Sequence, residues 1–445
     1  MLVLAALIAL IVVLVMGVPV PLAFLVSSII ICFGTGTQPQ MLLINGYNKV
    51  NSILLLTIPL FVLAGSLINN GGLGEKLVGA VEKTSLGKMK GGLGIVTVVS
   101  CAVFGAVSGS SSATVSCIGA IMAPRLRKAG YPDGLIGALV ASSGVLGILI
   151  PPSMLMILFA WGSNSSVLGC FVATVLPGIM LVILMSIVNV VIVRKAHADG
   201  GNYVDEMIAD AEAKEAEKAA KKADGKKHGE SALPALMMPV IILGSIYGGW
   251  LTATEAAALS VLYGLIAGVL YYRQISFQNY KAAMVDAGKT TGVIMAMLLA
   301  VQVLSRLYMT ENVPDMILGL LTSITENKYI ILLMINIFMV IMGMLMDDCS
   351  NTILLTPILL PIMNSLGISV FHFAAILGVN IGMGNVTPPT APLLYLSARV
   401  TGSQVKNELK PTLLLILFAW IPTLILTTYV PAFPELLPRL LGYIK

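Results

Sequence analysis

Four short polar stretches interrupt an otherwise apolar chain of 445 residues. Residues 108–114 read SGSSSAT and residues 347–352 read DDCSNT, and both lie inside long apolar runs. Small and polar residues also precede a Pro-Pro pair at 142–153 and at 382–390. At membrane depth, polar groups and freed backbone atoms are tolerated only where they face protein or a water-filled cavity. The four stretches are therefore candidate parts of one or more binding sites.

The chemistry that these residue types favour is the binding of a dehydrated cation. A hard cation such as sodium takes about five or six hydroxyl, carboxamide and carbonyl oxygens. A hairpin tip beside a broken helix supplies such oxygens, because the C-terminal ends of half-helices expose carbonyl groups. Their N-terminal ends favour an anion in the same cavity. Two such regions predict at least two sodium ions beside an anionic substrate.

Each region yields a set of candidate ligands. The first sodium site is predicted among five residues: Ser110, Ser111, Ser112, Gly144 and Gly147. The second sodium site is predicted among six residues: Ser350, Asn351, Thr352, Gly382, Gly384 and Thr387. Substrate contacts are predicted at four residues: Ser108, Ser153, Asp347 and Asp348. The competing roles are N-terminal capping for the two carboxylates, and back-bonding or close helix packing for the serines.

The two regions belong to an internal repeat. A shift of 237 positions, without a gap, superimposes five pairs of helix-breaking residues: Pro124 on Pro361, Gly130 on Gly367, Gly147 on Gly384, and Pro151-Pro152 on Pro388-Pro389. Paired hydrophobic segments that glycine and proline interrupt in both halves of a chain indicate the binding site of a secondary transporter.

Composition places the chain in the membrane. It is 57% hydrophobic and 11% charged, with a mean hydropathy of +0.96, whereas soluble chains carry roughly 25% charged residues. The net charge of +5 indicates no nucleic-acid partner, because the basic residues lie in loops between apolar runs. The five cysteines are predicted to be buried thiols. The sequence contains no P-loop and no HExxH motif, and no plausible Ser-His-Asp grouping, so an enzyme is not predicted.

The predicted fold is an all-α polytopic membrane protein with two inverted-topology repeats. Residues 1–193 form the first repeat, 194–234 a charged cytoplasmic linker, and 235–445 the second repeat. Each repeat carries a re-entrant hairpin, at about 92–122 and 330–365, and a broken helix, at about 134–160 and 371–397. Residues 199–230 read as a solvated helix or tail, and residues 74–90 as a short amphipathic helix at the lipid interface.

The charge distribution predicts the orientation. Of the 26 Lys and Arg residues, 21 lie in the segments assigned to the cytoplasm: 71–91, 123–133, 194–234, 273–289 and 398–410. This asymmetry favours an inverted repeat with both termini outside. Residues 2–33 could instead form one helix kinked at Pro19 and Pro21, which would place the N-terminus inside. The first 16 residues lack a basic start and are predicted to be retained.

Several motifs resemble the large membrane (M) subunit of a tripartite ATP-independent periplasmic (TRAP) transporter. They read GAVSGSSSATV, APRLRKAGYP, ASSGVLGILIPPS and GNVTPPTAP, and the resemblance covers nearly the whole chain. It implies sodium-driven import of a small organic acid, such as a sialic acid or a C4-dicarboxylate, across the bacterial inner membrane by an elevator mechanism. It also implies substrate near Ser108, Ser153 and Asp348, between the two sodium sites.

The resemblance implies partners as well. A small four-helix membrane subunit is expected as a separate chain, and a periplasmic substrate-binding protein is expected to deliver the small carboxylate substrate. The nearest alternative is a carboxylate symporter of the divalent-anion/sodium type, which needs no binding protein. A channel and an intramembrane enzyme are further alternatives, but two broken repeats favour alternating access, and no metal-ligand histidine cluster supports an enzyme.

Overall fold

The computed structural model describes residues 2–70, 72–84, 87, 89, 91–198, 231 and 233–444. Within these residues every regular element is a helix and no strand is present, which confirms the predicted all-helical fold class. The solvated segment predicted at 199–230, which makes up most of the predicted linker, lies outside the described residues.

The helices of the first half are, in chain order, α1 (Leu2–Val15), α2 (Val20–Thr35), α3 (Pro39–Val50), α4 (Thr57–Asn70), α5 (Leu73–Glu82), α6 (Gly92–Ser108), α7 (Ser111–Lys128), α8 (Asp133–Gly144), α9 (Leu146–Leu149), α10 (Met154–Ser163) and α11 (Val167–Ala198). A 3-10 turn (Ile53–Leu56) leads directly into α4.

The helices of the second half are α12 (Leu233–Tyr247), α13 (Ala253–Ile266), α14 (Phe277–Thr310), α15 (Val313–Ile324), α16 (Lys328–Leu345), α17 (Asp348–Ser365), α18 (Val370–Val386), α19 (Pro392–Thr401), α20 (Val405–Leu415), α21 (Ile421–Tyr429) and α22 (Ala432–Leu440). Short π-helical segments extend α13 to Tyr271 and join α20 to α21.

The helix boundaries follow the repeat of the sequence. We call α6–α7 hairpin 1 and α16–α17 hairpin 2; α8–α10 is broken helix 1 and α18–α19 is broken helix 2. The shift of 237 carries the end of α6 at Ser108 onto the end of α16 at Leu345. It also carries the start of α7 at Ser111 onto the start of α17 at Asp348. The helix breaks thus fall inside the segments predicted as hairpins and broken helices, and the second arm of hairpin 1 extends to Lys128.

The first two helices form an antiparallel pair, not one kinked helix. The hydroxyl of Ser27 donates a hydrogen bond to the carbonyl of Ala6 at 3.1 Å. In one continuous helix these two residues would lie about 30 Å apart, since each residue adds about 1.5 Å. The alternative of a single helix over 2–33 is therefore wrong.

One polar stretch that the sequence places in a loop is helical. Residues 273–289 are predicted as a cytoplasmic loop, yet Phe277–Thr310 is one helix of 34 residues, capped by the hydroxyl of Ser276. The apolar run stops where the polar residues of the first turns begin. Polar residues indicate contact with water, but they do not prevent a helix. Conversely, the amphipathic helix predicted at 74–90 is shorter, because α5 ends at Glu82.

By length and composition, five described helices can cross a membrane: Val167–Lys195, Ala253–Tyr271, Phe277–Thr310, Lys328–Leu345 and Val405–Tyr429. Two bent pairs raise this number to seven if each is one span. One pair joins α3 to the segment Ile53–Asn69 at 63°, and the other is broken helix 1, bent by 44° before Met154.

The helices form two packing groups. In the first, which we call the scaffold group, α14 packs along α2, α3 and α4, and α13 packs along α4. The second, the hairpin group, contains both hairpins and both broken helices. In this group each hairpin packs against the broken helix of the other repeat: α7 contacts α19, and α17 contacts α10. The groups meet where α4 contacts α6 and where α14 contacts α17.

Candidate ion and substrate site

The tip of hairpin 1 is held together by its own hydroxyl groups. Ser110 is the N-cap of α7 and accepts a hydrogen bond from the backbone N–H of Ala113 at 3.4 Å. The hydroxyl of Thr114 donates to the carbonyl of Ser110 at 2.7 Å and lies 3.2 Å from the hydroxyl of Ser108. The backbone N–H of Met154 donates to the carbonyl of Gly109 at 3.1 Å, which ties this tip to broken helix 1.

The tip of hairpin 2 carries Asp347 at the position equivalent to Ser110. Asp347 is the N-cap of α17, and its carboxylate accepts from the backbone N–H groups of Cys349 at 3.1 Å and Ser350 at 3.3 Å. The hydroxyl of Ser350 also donates to this carboxylate. The capping role that the sequence leaves open for the acidic pair is thus filled by Asp347, which nevertheless remains exposed at the tip.

Asp348 has different partners and joins three elements. Its carboxylate accepts hydrogen bonds from the hydroxyl of Ser111 in hairpin 1 and from the amide of Asn385 in broken helix 2. Ser111 and Asp348 are separated by 237 residues, so they occupy equivalent positions of the two repeats. The hairpin tips therefore meet at the residues that the repeat superimposes.

The broken helices approach the hairpins without room for a side chain. A Cβ atom on Gly147 would lie 2.5 Å from the Thr114 hydroxyl and 2.6 Å from the Ser110 carbonyl oxygen. On Gly384 it would lie 2.6 Å from the Cα of Gly343. Glycine allows this close backbone contact because it has no Cβ.

Four of the five residues predicted for the first sodium site come together. Ser110 lies against Gly147, and the carbonyl of Ser111 is 3.5 Å from where a Cβ of Gly144 would be. Ser112 differs, because its side chain is exposed and lines the cavity described below.

The residues predicted for the second sodium site divide into two sets. Asn351 is fully buried, and its amide donates to the carbonyls of Met346 at 2.9 Å and Asp347 at 3.2 Å. Ser350 and Thr352 lie beside it on the first turns of α17, and Thr352 donates to the carbonyl of Asp348 at 2.8 Å.

The other three residues predicted for the second sodium site lie in broken helix 2. Gly384 packs on hairpin 2, whereas the Cα of Gly382 faces the ring of Trp420 and the side chain of Val145. Thr387 follows α18 directly and its hydroxyl donates to the carbonyl of Met383.

A cavity of about 680 Å³ separates the hairpin tips from the scaffold group. Its polar lining from the hairpins includes Ser108, Ser110, Ser112, Asp347 and Asp348. The scaffold contributes Ser66 and Asn69 from α4, and Asp286, Lys289 and Thr290 from α14. Three of the four residues predicted to contact substrate thus line one cavity.

Ser153, the fourth predicted substrate contact, points elsewhere. It is fully buried as the N-cap of α10 and accepts from the backbone N–H of Met156 at 3.4 Å. Its hydroxyl donates to the carbonyl of Ile148, so both of its hydrogen-bonding functions are used locally.

Sequence reasoning missed Thr114, Asn385 and Lys289. The shift of 237 carries Thr114 onto Asn351, so the repeat itself would have identified Thr114. Lys289 lies one turn after Asp286 on the same face of α14. The predicted loop over 273–289 does not bring these two residues onto one face. Asn385 gave no comparable signal, because its partner Asp348 lies in another element.

Sequence comparisons place the chain among known transporters. The family profile described as "Tripartite ATP-independent periplasmic transporter, DctM component" matches residues 7–433. The C4-dicarboxylate TRAP transporter large permease protein DctM of Pseudomonas aeruginosa is 33% identical over 392 residues, which cover 87% of each chain. The sialic acid TRAP transporter large permease protein SiaM of Vibrio cholerae is 31% identical over 395 residues, which cover 88% of each chain.

Two further matches bear on length and fold. The isethionate TRAP transporter permease protein DctMQ of Oleidesulfovibrio alaskensis is 31% identical over 426 residues, which cover 95% of this chain but 64% of that relative. Among solved structures, the YdaH transporter of Alcanivorax borkumensis has a TM-score of 0.61 at 13% identity, with 87% of both chains covered. At that identity the likeness concerns the fold alone.

Proposed function

This chain belongs to the DctM component of the tripartite ATP-independent periplasmic transporters, and on that premise we propose that it imports a small organic acid together with sodium ions across the bacterial inner membrane. It is a multi-pass transporter permease and not an enzyme. Its relatives are named for C4-dicarboxylates, sialic acid, 2,3-diketo-L-gulonate and isethionate, which are all acids that are anionic at neutral pH.

The charge of the cavity carries the proposal of sodium coupling. The charged residues that line it, within the described chain, are Asp286, Lys289, Asp347 and Asp348. When ionised, three carboxylates repel an anion and one ammonium group attracts it, so the net effect is repulsion. Each unit-charge pair contributes roughly 1–4 kcal/mol at 4 Å for effective dielectric constants between 80 and 20. Bound cations remove this repulsion, so sodium has to bind before the substrate.

The oxygen atoms near the tips suit sodium. The side-chain carbonyl oxygens of Asn351 and Asn385 are buried and have no hydrogen-bond partner in the described part of the chain. A buried carbonyl oxygen that lacks a donor is stabilised by a hard cation. We therefore propose the second site at the six residues predicted for it, with Asn385 and Asp348 added. Asp348, which the sequence predicts as a substrate contact, is assigned to the ion because its carboxylate is bonded to Asn385.

The first site is proposed where Ser110, Ser111, Gly144 and Gly147 converge, with Thr114 added. There broken helix 1 is in contact, at its glycines, with the carbonyls of Ser110 and Ser111 and with the Thr114 hydroxyl. Two sites in equivalent positions give at least two sodium ions.

Substrate is proposed in the cavity between these sites and α14. Ser108, Ser112 and the exposed Asp347 border it from the hairpins, and Lys289 borders it from the scaffold. Lys289 supplies the positive charge that binds a carboxylate, since it makes no ion pair with another described residue. A substrate whose carboxylate binds Lys289 and which also bonds to a serine hydroxyl of the hairpin tips would be oriented across the cavity.

The walls of this cavity also favour an elevator mechanism. One wall belongs to the hairpin group and the other to the scaffold group, and the groups meet at α4–α6 and α14–α17. Movement of the hairpin group along α4 and α14 would carry ions and substrate together. A small membrane subunit against the scaffold and a periplasmic binding protein are the partners proposed.

Reconstituted uptake tests this function. Proteoliposomes contain this chain with its small membrane subunit, and labelled sialic acid or a C4-dicarboxylate is added with or without the binding protein. We expect uptake that requires both an inward sodium gradient and the binding protein. Uptake driven by a proton gradient and indifferent to sodium would contradict sodium coupling. Uptake with sodium but without binding protein would favour the divalent-anion type of symporter.

A further inference from the structure

A buried carboxylate lies away from the hairpin tips, two turns of α8 before Gly144. Glu408 is fully buried where α20 packs against α8. Its Oε1 atom accepts a hydrogen bond from the hydroxyl of Ser403 and lies 1.9 Å from where a Cβ of Gly137 would be. Gly137 precedes Gly144 by seven residues, which is about 10 Å along the helix. Glu408 is thus separate from the proposed sodium sites.

Two polar atoms in this cluster are unsatisfied. Glu408 Oε2 and the hydroxyl of Thr412 are buried and have no hydrogen-bond partner among the described residues. Thr412 follows Glu408 by four residues and is fully buried, so both lie on the same face of α20. A buried carboxylate oxygen without a hydrogen-bond donor is stabilised by a proton or a bound cation.

No protein cation supplies that charge. The charged side chains on α20 and on the elements packed against it are Asp133 on α8, Arg399 on α19, Arg194 and Lys195 on α11, and Lys406 and Lys410 on α20 itself. The basic ones are exposed, and none forms an ion pair with Glu408 in the described chain. Nearby Arg127 is engaged by Asp133 at 2.8 Å and by the carbonyl of Thr401 at 2.9 Å.

Helix capping does not account for Glu408 either. Its backbone N–H is already bonded to the carbonyl of Gln404 at 3.3 Å, so it lies beyond the cap. Among described residues its carboxylate accepts from the Ser403 hydroxyl and from no backbone N–H. The helix terminus therefore leaves the carboxylate charge without direct compensation.

The first repeat shows that the fold does not need a carboxylate at this position. The second repeat gains one residue after the Pro-Pro pair, because α19 begins at Pro392, 238 positions after the start of α10 at Met154. From there a shift of 238 carries Ser165 onto Ser403 and Cys170 onto Glu408. The Ser165 hydroxyl lies 3.3 Å from the Cys170 sulfur, so the same local contact is built there with a neutral thiol. Cys170 is as fully buried as Glu408.

We propose that Glu408, with Ser403 and Thr412, binds one monovalent cation, sodium or a proton, that travels with the substrate in addition to the sodium ions at the tips. The site rests on the proposed transport function: its residues lie on and just before α20, which packs along α8 of the hairpin group that would move. A proton would satisfy the carboxylate directly, whereas sodium would also use the two hydroxyl groups. Both neutralise one buried negative charge.

Infrared difference spectroscopy on the purified chain with its small subunit tests binding without transport. Sodium is stepped at fixed pH, and pH is stepped at fixed sodium. A carboxylate band that moves with sodium identifies sodium, and a carboxylic-acid band that moves with pH identifies a proton. The band must be lost in Glu408→Gln and in Glu408→Cys, which copies the first repeat and guards against misfolding of the glutamine variant. Glu82→Gln is the matched control, because Glu82 is a buried glutamate bonded to Arg125 at 2.9 Å; it must leave the band in place.

A band that stays unchanged in both steps, or that persists in both Glu408 variants, would overturn the proposal. The charge moved per substrate, obtained from the reversal potential in proteoliposomes, gives the second readout. We expect it to fall by one in Glu408→Cys while sodium-driven uptake continues. An unchanged charge per substrate would overturn the statement that the ion is carried, and a complete lack of uptake in the wild type would count against the proposed function instead.

Discussion

Replacing Gly147 with alanine tests whether hairpin 1 and broken helix 1 together form a sodium site. The new methyl carbon would lie 2.5 Å from the Thr114 hydroxyl, whereas real Cβ atoms essentially never come closer than 3.0 Å. The tip therefore has to retreat by at least about 0.5 Å from the oxygens that we assign to the ion. Alanine adds no charge and removes no polar group, so its effect reports on geometry.

The size of this effect follows from the cost of overpacking. Inserting a methyl group into a filled space costs about 1–3 kcal/mol. If that cost falls on the sodium-bound arrangement, the sodium concentration for half-maximal uptake rises about 5- to 140-fold, since 1.4 kcal/mol is roughly a factor of ten. Uptake at saturating sodium should recover in part.

The assay measures initial uptake in proteoliposomes over a range of sodium concentrations, with the melting temperature followed in parallel. Gly292→Ala on α14 is the matched control, because no atom lies within 4 Å of a Cβ at that position. A Gly147→Ala variant with the sodium dependence of the wild type would refute the assignment. If its melting temperature also fell, the close contact would serve packing and not ion binding.

Three further predictions concern charge and orientation. Asp348→Asn should raise the half-maximal sodium concentration at least about tenfold, because the amide no longer accepts from both Ser111 and Asn385. Asp347→Asn should change this concentration less than about threefold, since asparagine caps a helix as well as aspartate. Lys289→Met should raise KM for an acidic substrate by about 10- to 100-fold, whereas Lys281→Met, on the same helix outside the cavity, should leave KM unchanged in the same uptake assay. A cysteine in place of Glu326 should react with an impermeant maleimide added outside intact cells; reaction only after the membrane is opened would contradict the predicted orientation.

The sequence was sufficient for the hairpins because their ends are marked by local chemistry. Gly109 has a left-handed backbone and Ser110 caps the next helix, so the break is visible in the residue types alone. The 237-residue shift then transferred the same boundary to Asp347. Both tips, and most of the oxygen-rich positions beside them, could therefore be located without coordinates.

The remaining features depend on contacts between distant elements. Asn385 matters because it reaches Asp348, and Lys289 because α14 passes behind the cavity. Ser153 has the residue type of a ligand, but as an N-cap it turns toward its own backbone. Hydropathy also missed the start of α14, since it measures the preference for lipid and the first turns of this helix, from Phe277, are polar.

The contact between Ser111 and Asp348 also restricts how the protein can have evolved. Ser111 and Asp348 occupy equivalent positions and touch, so they lie on the axis that relates the two repeats. In a dimer of identical subunits, the same place on the axis would hold two copies of one residue. Two aspartates there would repel each other, and two serines would carry no charge. A hydroxyl donor opposite a carboxylate therefore requires two halves that carry different residues at this position, which two identical subunits would not provide.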